Sequence, residues 1–413
     1  MTASAESRPL RIFLVAGEES GDRLGAALML ALKARSDNVA FTGVGGSEMA
    51  RQGLVSLFPI GDLAMMGFNA VARKLPLILR RIEETISAVV TDQPDVLVII
   101  DSPDFTHRVA RRVRKANPSI PIVNYVSPSV WAWRPGRARG MSSYIDHVLA
   151  LLPFEPEAHR RLGGPPCSYV GHPLAETASQ LRPDGTEAAR RQTDPPVLLV
   201  LPGSRSGEIK RLLGVFARTI EAVGGAFGSI DVVIPTVPHL ASMLQKETGS
   251  WGRPPRIVVD PQEKQAAFRI ARAALAKSGT VTLELAVAKV PMVAAYKVAF
   301  VEAAVLRWVI KAPSAILANL VLGENVVPEF LQEHCTVKNL MQALLPLLSD
   351  GPERKRQLDA FERLDALMET GVAHPSARAA EIVLREASRA RPVGEPAQQS
   401  GLPQDYFRRD IGT

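Results

Sequence analysis

The run Val96-Leu-Val-Ile-Ile-Asp-Ser-Pro-Asp104 decides the fold. Its five opening residues are all β-branched or Leu, which suits a parallel strand buried on both faces. The run stops at Asp101. Ser102 then reads as a helix N-cap and Pro103 as the first helical position, with Asp104 in the first turn. Phe105, Val109, Val113 and Ala116 follow on one stripe. Strand, short loop and helix make half of a βαβ unit, and the same pattern extends to either side. Residues 11–16, 39–44, 120–126 and 147–152 read as further strands with helical stretches between them. The polar stretch 176–196 reads as a linker. The pattern then restarts at Leu198-Leu-Val-Leu-Pro-Gly-Ser-Arg-Ser-Gly-Glu208, with strands expected at 197–201, 230–235, 256–259, 273–276 and 291–296. This alternation predicts an α/β chain of two doubly wound domains, residues 1–180 and 181–384, facing each other across a cleft. Residues 385–413 read as a tail.

Composition narrows the class. The chain has 413 residues, 46% hydrophobic and 22% charged, the balance of a globular protein rather than a disordered or fibrous one. Its 2 cysteines, Cys167 and Cys335, offer neither a disulfide framework nor metal-ligand spacing, and point to the cytoplasm. No apolar run approaches the roughly 20 residues of a spanning helix, and the N-terminal segment does not read as a cleavable signal. No metal site is expected. Net charge is +7, and residues 105–145 carry eight Lys/Arg with no Asp or Glu. Such a block suits phosphate-bearing ligands, an anionic membrane surface or nucleic acid. Arg108, Arg111, Arg112, Arg114 and Lys115 lie off the apolar stripe and read as a solvated face. No RNA-binding motif accompanies them, so nucleic acid is not an expected partner.

The chemistry is expected in the loops that follow strands. Gly203-Ser204-Arg205 leads from a strand into a helix, where glycine lets a phosphate approach free backbone N–H groups and Arg205 adds a bidentate donor. Ser278-Gly279-Thr280 repeats the arrangement. Glu284 lies one turn further down, placed to accept hydrogen bonds from a vicinal diol such as a ribose. The plain alternatives are two helix caps and a solvated acid. Two such loops in one domain describe a nucleotide-diphosphate pocket better. In the first domain Asp101 has no capping role, and burial at a strand end could raise its pKa and make it a general base. Glu18, Glu19 and Asp22 either line the cleft or cap a helix, and Ser20 is placed with Glu18 and Asp22 on the acceptor side. Trp133 and Arg134 suggest contact with a sugar and a phosphate, with one of Trp131 and Trp133 expected in the core. Gly43-Val-Gly-Gly-Ser-Glu48 fails to complete a dinucleotide fingerprint, which disfavours a nicotinamide enzyme. The stretch 65–81 mixes bulky apolar residues with cations. Pro76 is expected to divide it into two segments, and core packing is its better reading from the residues alone.

In order along the chain, GEESGD, GVGGSEM, DSPDF, YVSPSVWAWR, LPFE, GHPL, LPGSRSGE, SGTVTLE and LANL resemble the motifs of the lipid-A-disaccharide synthases, from about residue 10 to beyond 330. The resemblance implies a GT-B fold and an inverting glycosyl transfer without a cofactor. UDP-2,3-diacylglucosamine and 2,3-diacylglucosamine 1-phosphate would give a β-1,6 disaccharide and UDP. It implies that Asp101 activates the acceptor hydroxyl, that Arg205 and Ser278–Thr280 bind UDP, and that Asn319 is tied to activity. It also implies a peripheral enzyme on the inner face of the cytoplasmic membrane, with Met66, Phe68, Val71 and Leu75 as membrane contacts, and leaves a homodimer open. Lys277, Ala318 and Ser47 stand where the family's motifs carry a small residue, a proline and a proline. The alternatives sharing the fold are a UDP-N-acetylglucosamine 2-epimerase and a lipid II type glycosyltransferase.

Overall fold

The computed structural model describes residues 8–63, 68–298, 313–369 and 374–389, and of 68–74 only the helical backbone. Two six-stranded sheets organise the chain, and every strand pair is parallel. The first contains β1 (Leu10–Ala16), β2 (Val39–Val44), β3 (Val96–Ile100), β4 (Ile122–Tyr125), β5 (His147–Ala150) and β6 (Cys167–Tyr169), in the order β2-β1-β3-β4-β5-β6. The second contains β7 (Val197–Leu201), β8 (Asp231–Pro235), β9 (Arg256–Val258), β10 (Ala273–Lys277), β11 (Met292–Tyr296) and β12 (Glu329–Leu331), in the order β12-β11-β10-β7-β8-β9.

Alternation along the strands divides the first core. Phe13 and Val15 of β1 join Leu97 and Ile99 of β3, under Phe105, Val109 and Val113 of the helix Pro103–Ala116. Ile12 and Leu14 join Val96, Val98 and Ile100 on the opposite face, under Leu28, Met29 and Leu32 of the helix Glu19–Lys33. All five residues of β3 are buried, as the opening run predicts. Each such aliphatic side chain contributes about 1.5–3 kcal/mol on burial. The cations of the helix Pro103–Ala116 lie off this face. Arg112 pairs with Glu83, Arg114 with Asp146, and Arg111 stacks on Tyr144.

The structure departs from the sequence expectations at four places. The strands β6 and β12 were not expected. They are three-residue edges without the β-branched residues that mark the equally short β9. The stretch 176–196 is not an extended linker, because helices Leu174–Leu181 and Gly185–Arg190 occupy much of it. Ala178 and Leu181 enter the second core, and Asp184 and Glu187 form a capping box. The helix Pro375–Ser388 packs Ala379, Ala380, Val383 and Ala387 against the first sheet, not the second. A division at 384/385 therefore falls inside a helix, which closes the chain onto its beginning. Finally, Pro76 does not split its segment, since Phe68–Asp92 is one helix. Proline removes one backbone hydrogen bond and bends a helix without having to end it, and Ile82, Thr85 and Val89 anchor the downstream part.

Candidate active site

Each sheet reverses its strand order once. The chain runs from β1 to β2, then crosses to β3 on the other side of β1. In the second sheet it runs β7, β8, β9, then crosses to β10 on the other side of β7. The loops leaving β1 and β3, and those leaving β7 and β10, therefore flank the two switch points where open α/β sheets take ligands. Glu18, Ser20, Asp22 and Asp101 leave the first sheet, and Gly203–Arg205 and Ser278–Glu284 the second, at these two places, whereas Trp133 and Arg134 follow β4 and Asn319 follows β11.

At the first switch point the two loops touch. A Cβ on Gly17 would fall 2.4 Å from Cβ of Ser102, so only glycine allows this approach. Asp101 and Ser102 both adopt left-handed backbone, with φ of 51° and 44°. Such residues cost on the order of 1–3 kcal/mol each and persist where their surroundings fix them. Here Asp101 N–H donates to Tyr125 O at 3.0 Å, and Thr106 Oγ1 donates to Asp101 O at 2.6 Å. The twist delivers the Asp101 carboxyl beside Glu18. Burial, followed by the hydrogen bond and like charge of Glu18, pushes its pKa up to about 6. The Ser102 N–H, 2.8 Å from Oδ1, and Ser20 act in the opposite sense. Ser20 Oγ also donates to Glu18 Oε1 at 2.9 Å. A carboxyl titrating near neutral pH is what a general base requires.

Asp22 does not join this group. Its buried carboxylate accepts the N–H groups of Gly46, Glu48 and Met49 at 2.7, 2.9 and 3.0 Å, capping the short helix Ser47–Arg51. The two tryptophans divide as expected. Trp131 packs edge-on against Phe154 and donates to buried Glu155, whereas Trp133 is exposed with Arg134 stacked 4.6 Å from its centroid. Trp131, Leu152 and Phe154, from the loops after β4 and β5, share the second domain's cluster with Val197, Ala276 and Leu283. The first sheet's loop end therefore packs onto the second domain.

At the second switch point the loops after β7 and β10 line a cavity of about 260 Å³, together with the Pro235–Val237 segment. Gly203, Ser204, Glu208, Lys264, Lys277, Gly279, Thr280 and Glu284 contribute to its wall. Gly203 has φ of +128° and a Cβ there would strike Glu208, so the turn needs glycine. Glu284 pairs with Lys264 at 3.0 Å. Arg205 is not in the wall. It occupies the N-cap position of the helix Ser206–Phe227 without a capping side-chain bond, its side chain is 85% exposed, and it lies 4.0 Å from the Glu208 carboxylate. Ser278 turns inward, its Oγ donating to Ala315 O at 3.0 Å.

Asn319, buried in the helix Leu317–Leu322, is held by backbone rather than aimed at a cavity. Its Oδ1 accepts from Val326 and Val327 N–H at 3.1 and 2.9 Å, and its Nδ2 donates to Val327 O at 3.0 Å. Ser314 donates to Glu329 at 2.9 Å and leads into Ala315, the acceptor of Ser278. Asn319 Nδ2 also lies 3.4 Å from Ser314 Oγ, so it touches the segment on which the Ser278 loop leans. The pairing of Glu18 with Asp101, and of Glu208 with Lys277, escaped the sequence reading. An acid in the first turn after a glycine loop is the only local trace of the second pair.

Of the residues expected to contact a membrane, Met66 lies outside the described residues, as do the side chains of Phe68 and Val71. Leu75 and Leu79 are exposed apolar residues, at 45% and 38%. Arg81, in contrast, is held by Asp62 and Glu84 and stacks on Phe58. Among the described residues no helix is long and apolar enough to cross a membrane.

A family model described as lipid-A-disaccharide synthetase matches residues 12–383. Relatives named lipid-A-disaccharide synthase include one from Nitrobacter hamburgensis, 62% identical over 391 residues covering 94% of this chain and 98% of that protein. Another, from Bradyrhizobium diazoefficiens, is 58% identical, covering 92% and 97%. Among solved structures, a UDP-GlcNAc 2-epimerase from Neisseria meningitidis bound to UDP-GlcNAc superposes with a TM-score of 0.56 at 11% identity, covering 91% of this chain and 98% of that one. A glycotransferase of kitacinnamycin gives 0.59 at 18% identity, covering 92% and 100%. These two likenesses concern the fold, which is of the GT-B type with two Rossmann-like domains.

Proposed function

The chain belongs to the lipid-A-disaccharide synthase family and is a glycosyltransferase that forms the lipid A disaccharide, and from that premise we propose how its residues divide the work. The donor is UDP-2,3-diacylglucosamine and the acceptor 2,3-diacylglucosamine 1-phosphate. The acceptor 6-hydroxyl attacks the donor's anomeric carbon as the bond from that carbon to UDP breaks. Asp101 takes the hydroxyl proton, and UDP leaves as the anion. One displacement inverts the anomeric centre and gives the β-1,6 linkage. It needs one base and a stabilised leaving group.

The first domain supplies the base and the acceptor side, with Glu18 and Ser20 next to Asp101 and with Trp133 and Arg134 toward the sugar phosphate. The second domain holds UDP. Gly203, Ser204, Gly279 and Thr280 present backbone amides to the diphosphate, Glu284 takes the ribose diol, and Arg205 can meet a phosphate without breaking a hydrogen bond. Ser278 and Asn319 act through loop position. The exposed apolar side of the helix Phe68–Asp92, including Leu75, rests on the inner face of the cytoplasmic membrane, where both acylated substrates reside. Of its flanking cations, Arg81 is engaged by Asp62 and Glu84 and adds less attraction than an unpaired one.

The observation that carries this reading is the Asp101 carboxyl, raised to about 6 at a switch point and next to Glu18. Asp101→Asn tests it. Asparagine tolerates left-handed backbone, so the fold should survive while turnover falls roughly 10²–10⁴-fold. Near-normal turnover in folded Asp101→Asn removes Asp101 from the mechanism.

A further inference from the structure

Glu208 bridges the two loops of the second switch point. Its Oε2 accepts the Ser204 N–H at 3.3 Å and lies over Gly203, where a Cβ would come within 2.6 Å of it. Its Oε1 accepts from Lys277 Nζ at 3.0 Å. Lys277 ends β10, and its ammonium also lies 5.4 Å from the centroid of the Tyr296 ring. The side chains are 20% and 18% exposed, so this is no freely solvated surface pair.

A carboxylate whose two oxygens are held one by a glycine-loop amide and the other by a lysine has the surroundings of a bound oxyanion. It sits in the wall of the 260 Å³ cavity, beside Gly279 and Thr280. Arg205, the cation the motif itself suggests for this task, stands outside that wall.

We propose that Glu208 is an internal placeholder for the donor's diphosphate. A nucleoside diphosphate enters by displacing the Glu208 carboxylate from Ser204 N–H and Lys277 Nζ, and Lys277 is the cation that then holds it. The inference rests on the donor-site reading above and adds to it a cation and a competitor.

The two halves of the ion pair should then act with opposite signs on the same ligand. If the pair merely braced the loops, losing either half would loosen them and weaken binding in both cases. The experiment is calorimetric titration of the full chain with UDP and with uridine, each variant's melting temperature being recorded alongside. Lys277→Met should weaken UDP about tenfold or more, the effect of losing a charge-assisted hydrogen bond. Uridine affinity should not change. Glu208→Gln keeps the shape and an acceptor for Ser204 N–H. It should bind UDP about two- to fivefold tighter, since the group to be displaced no longer carries a charge that competes for Lys277. Lys277→Arg, which retains the charge, should stay closer to wild type than Lys277→Met. Weaker UDP binding in Glu208→Gln overturns the placeholder, and so does wild-type affinity in Lys277→Met. Should Lys277→Met not fold, the isosteric Glu208→Gln decides the sign alone. Wild-type protein that binds no UDP overturns the donor-site reading itself, an outcome distinct from those two.

Discussion

Burial of Asp101, together with Glu18, should set the pH at which the enzyme switches on. The Asp101 carboxyl is lifted from 3.8 to about 6, first by burial and next by Glu18. That lift corresponds to about 3 kcal/mol against the ionised form. The base form is therefore populated mainly above about pH 6. The dependence of kcat/KM on pH reports groups of the free enzyme and substrates. It should rise through a midpoint near 6 and level off above it. The acceptor's phosphate monoester also ionises at about 6 and could mimic this limb. Glu18→Gln separates the two. It removes the like charge while preserving size, so the enzyme's midpoint should move to lower pH and a limb belonging to the phosphate should stay in place. The assay is a turnover series from pH 5 to 8 at substrate concentrations well below KM. A wild-type profile flat between 5 and 7, or a midpoint that does not move in Glu18→Gln, refutes the assignment of this carboxyl pair.

Three further outcomes follow from the same geometry. Because the folded-state pKa of Asp101 is raised, ionisation works against the fold as pH climbs from about 4 to 6, so Asp101→Asn should stabilise the protein at pH 7.5 by on the order of 1–3 kcal/mol, with the gain vanishing below pH 4 in urea titrations. Asn319→Ala strips three backbone partners of a buried amide and should cost about 2–3 kcal/mol, lowering the urea midpoint and UDP affinity together. Lost activity with both unchanged would mean that the amide acts on substrate directly. Replacing Phe68, Val71 and Leu75 with Ser should release the protein from anionic vesicles in a sedimentation assay while UDP binding persists, and wild-type attachment should weaken in salt, each nearby cation adding about 1 kcal/mol. If wild type ignores vesicles and the triple variant unfolds, those residues are core.

The legible part of this fold was the part carried by local pattern. Buried parallel strands such as β3 and β7 announce themselves as unbroken β-branched and Leu runs, and the loops after them could be found by following each run to its end. Two of the four edge strands were not legible, because Cys167–Tyr169 and Glu329–Leu331 carry no β-branched residue, whereas β2 and the equally short β9 do. Nor was the return of the helix Pro375–Ser388 to the first sheet, since its apolar stripe shows that it packs but not on what. The site followed the same division. Gly203, Ser278 and Asp101 are placed by strand ends, whereas the partners that tune them come from distant segments. Glu18 meets Asp101 only because β1 and β3 are neighbours, and Lys277 meets Glu208 only because β10 lies beside β7. Asn319 illustrates the converse, a residue identified by motif whose described contacts are with backbone and Ser314.

The account's central claim is a single inverting transfer between two acylated sugars, and acceptor omission tests it most directly. Purified full-length protein is incubated with UDP-2,3-diacylglucosamine, with and without 2,3-diacylglucosamine 1-phosphate, and UDP and the sugar products are followed by chromatography and by NMR of the anomeric proton. The account predicts equal amounts of UDP and a β-1,6-linked disaccharide 1-phosphate when the acceptor is present, and an intact donor when it is absent. Donor consumed without acceptor, or an α-linked product, would contradict it.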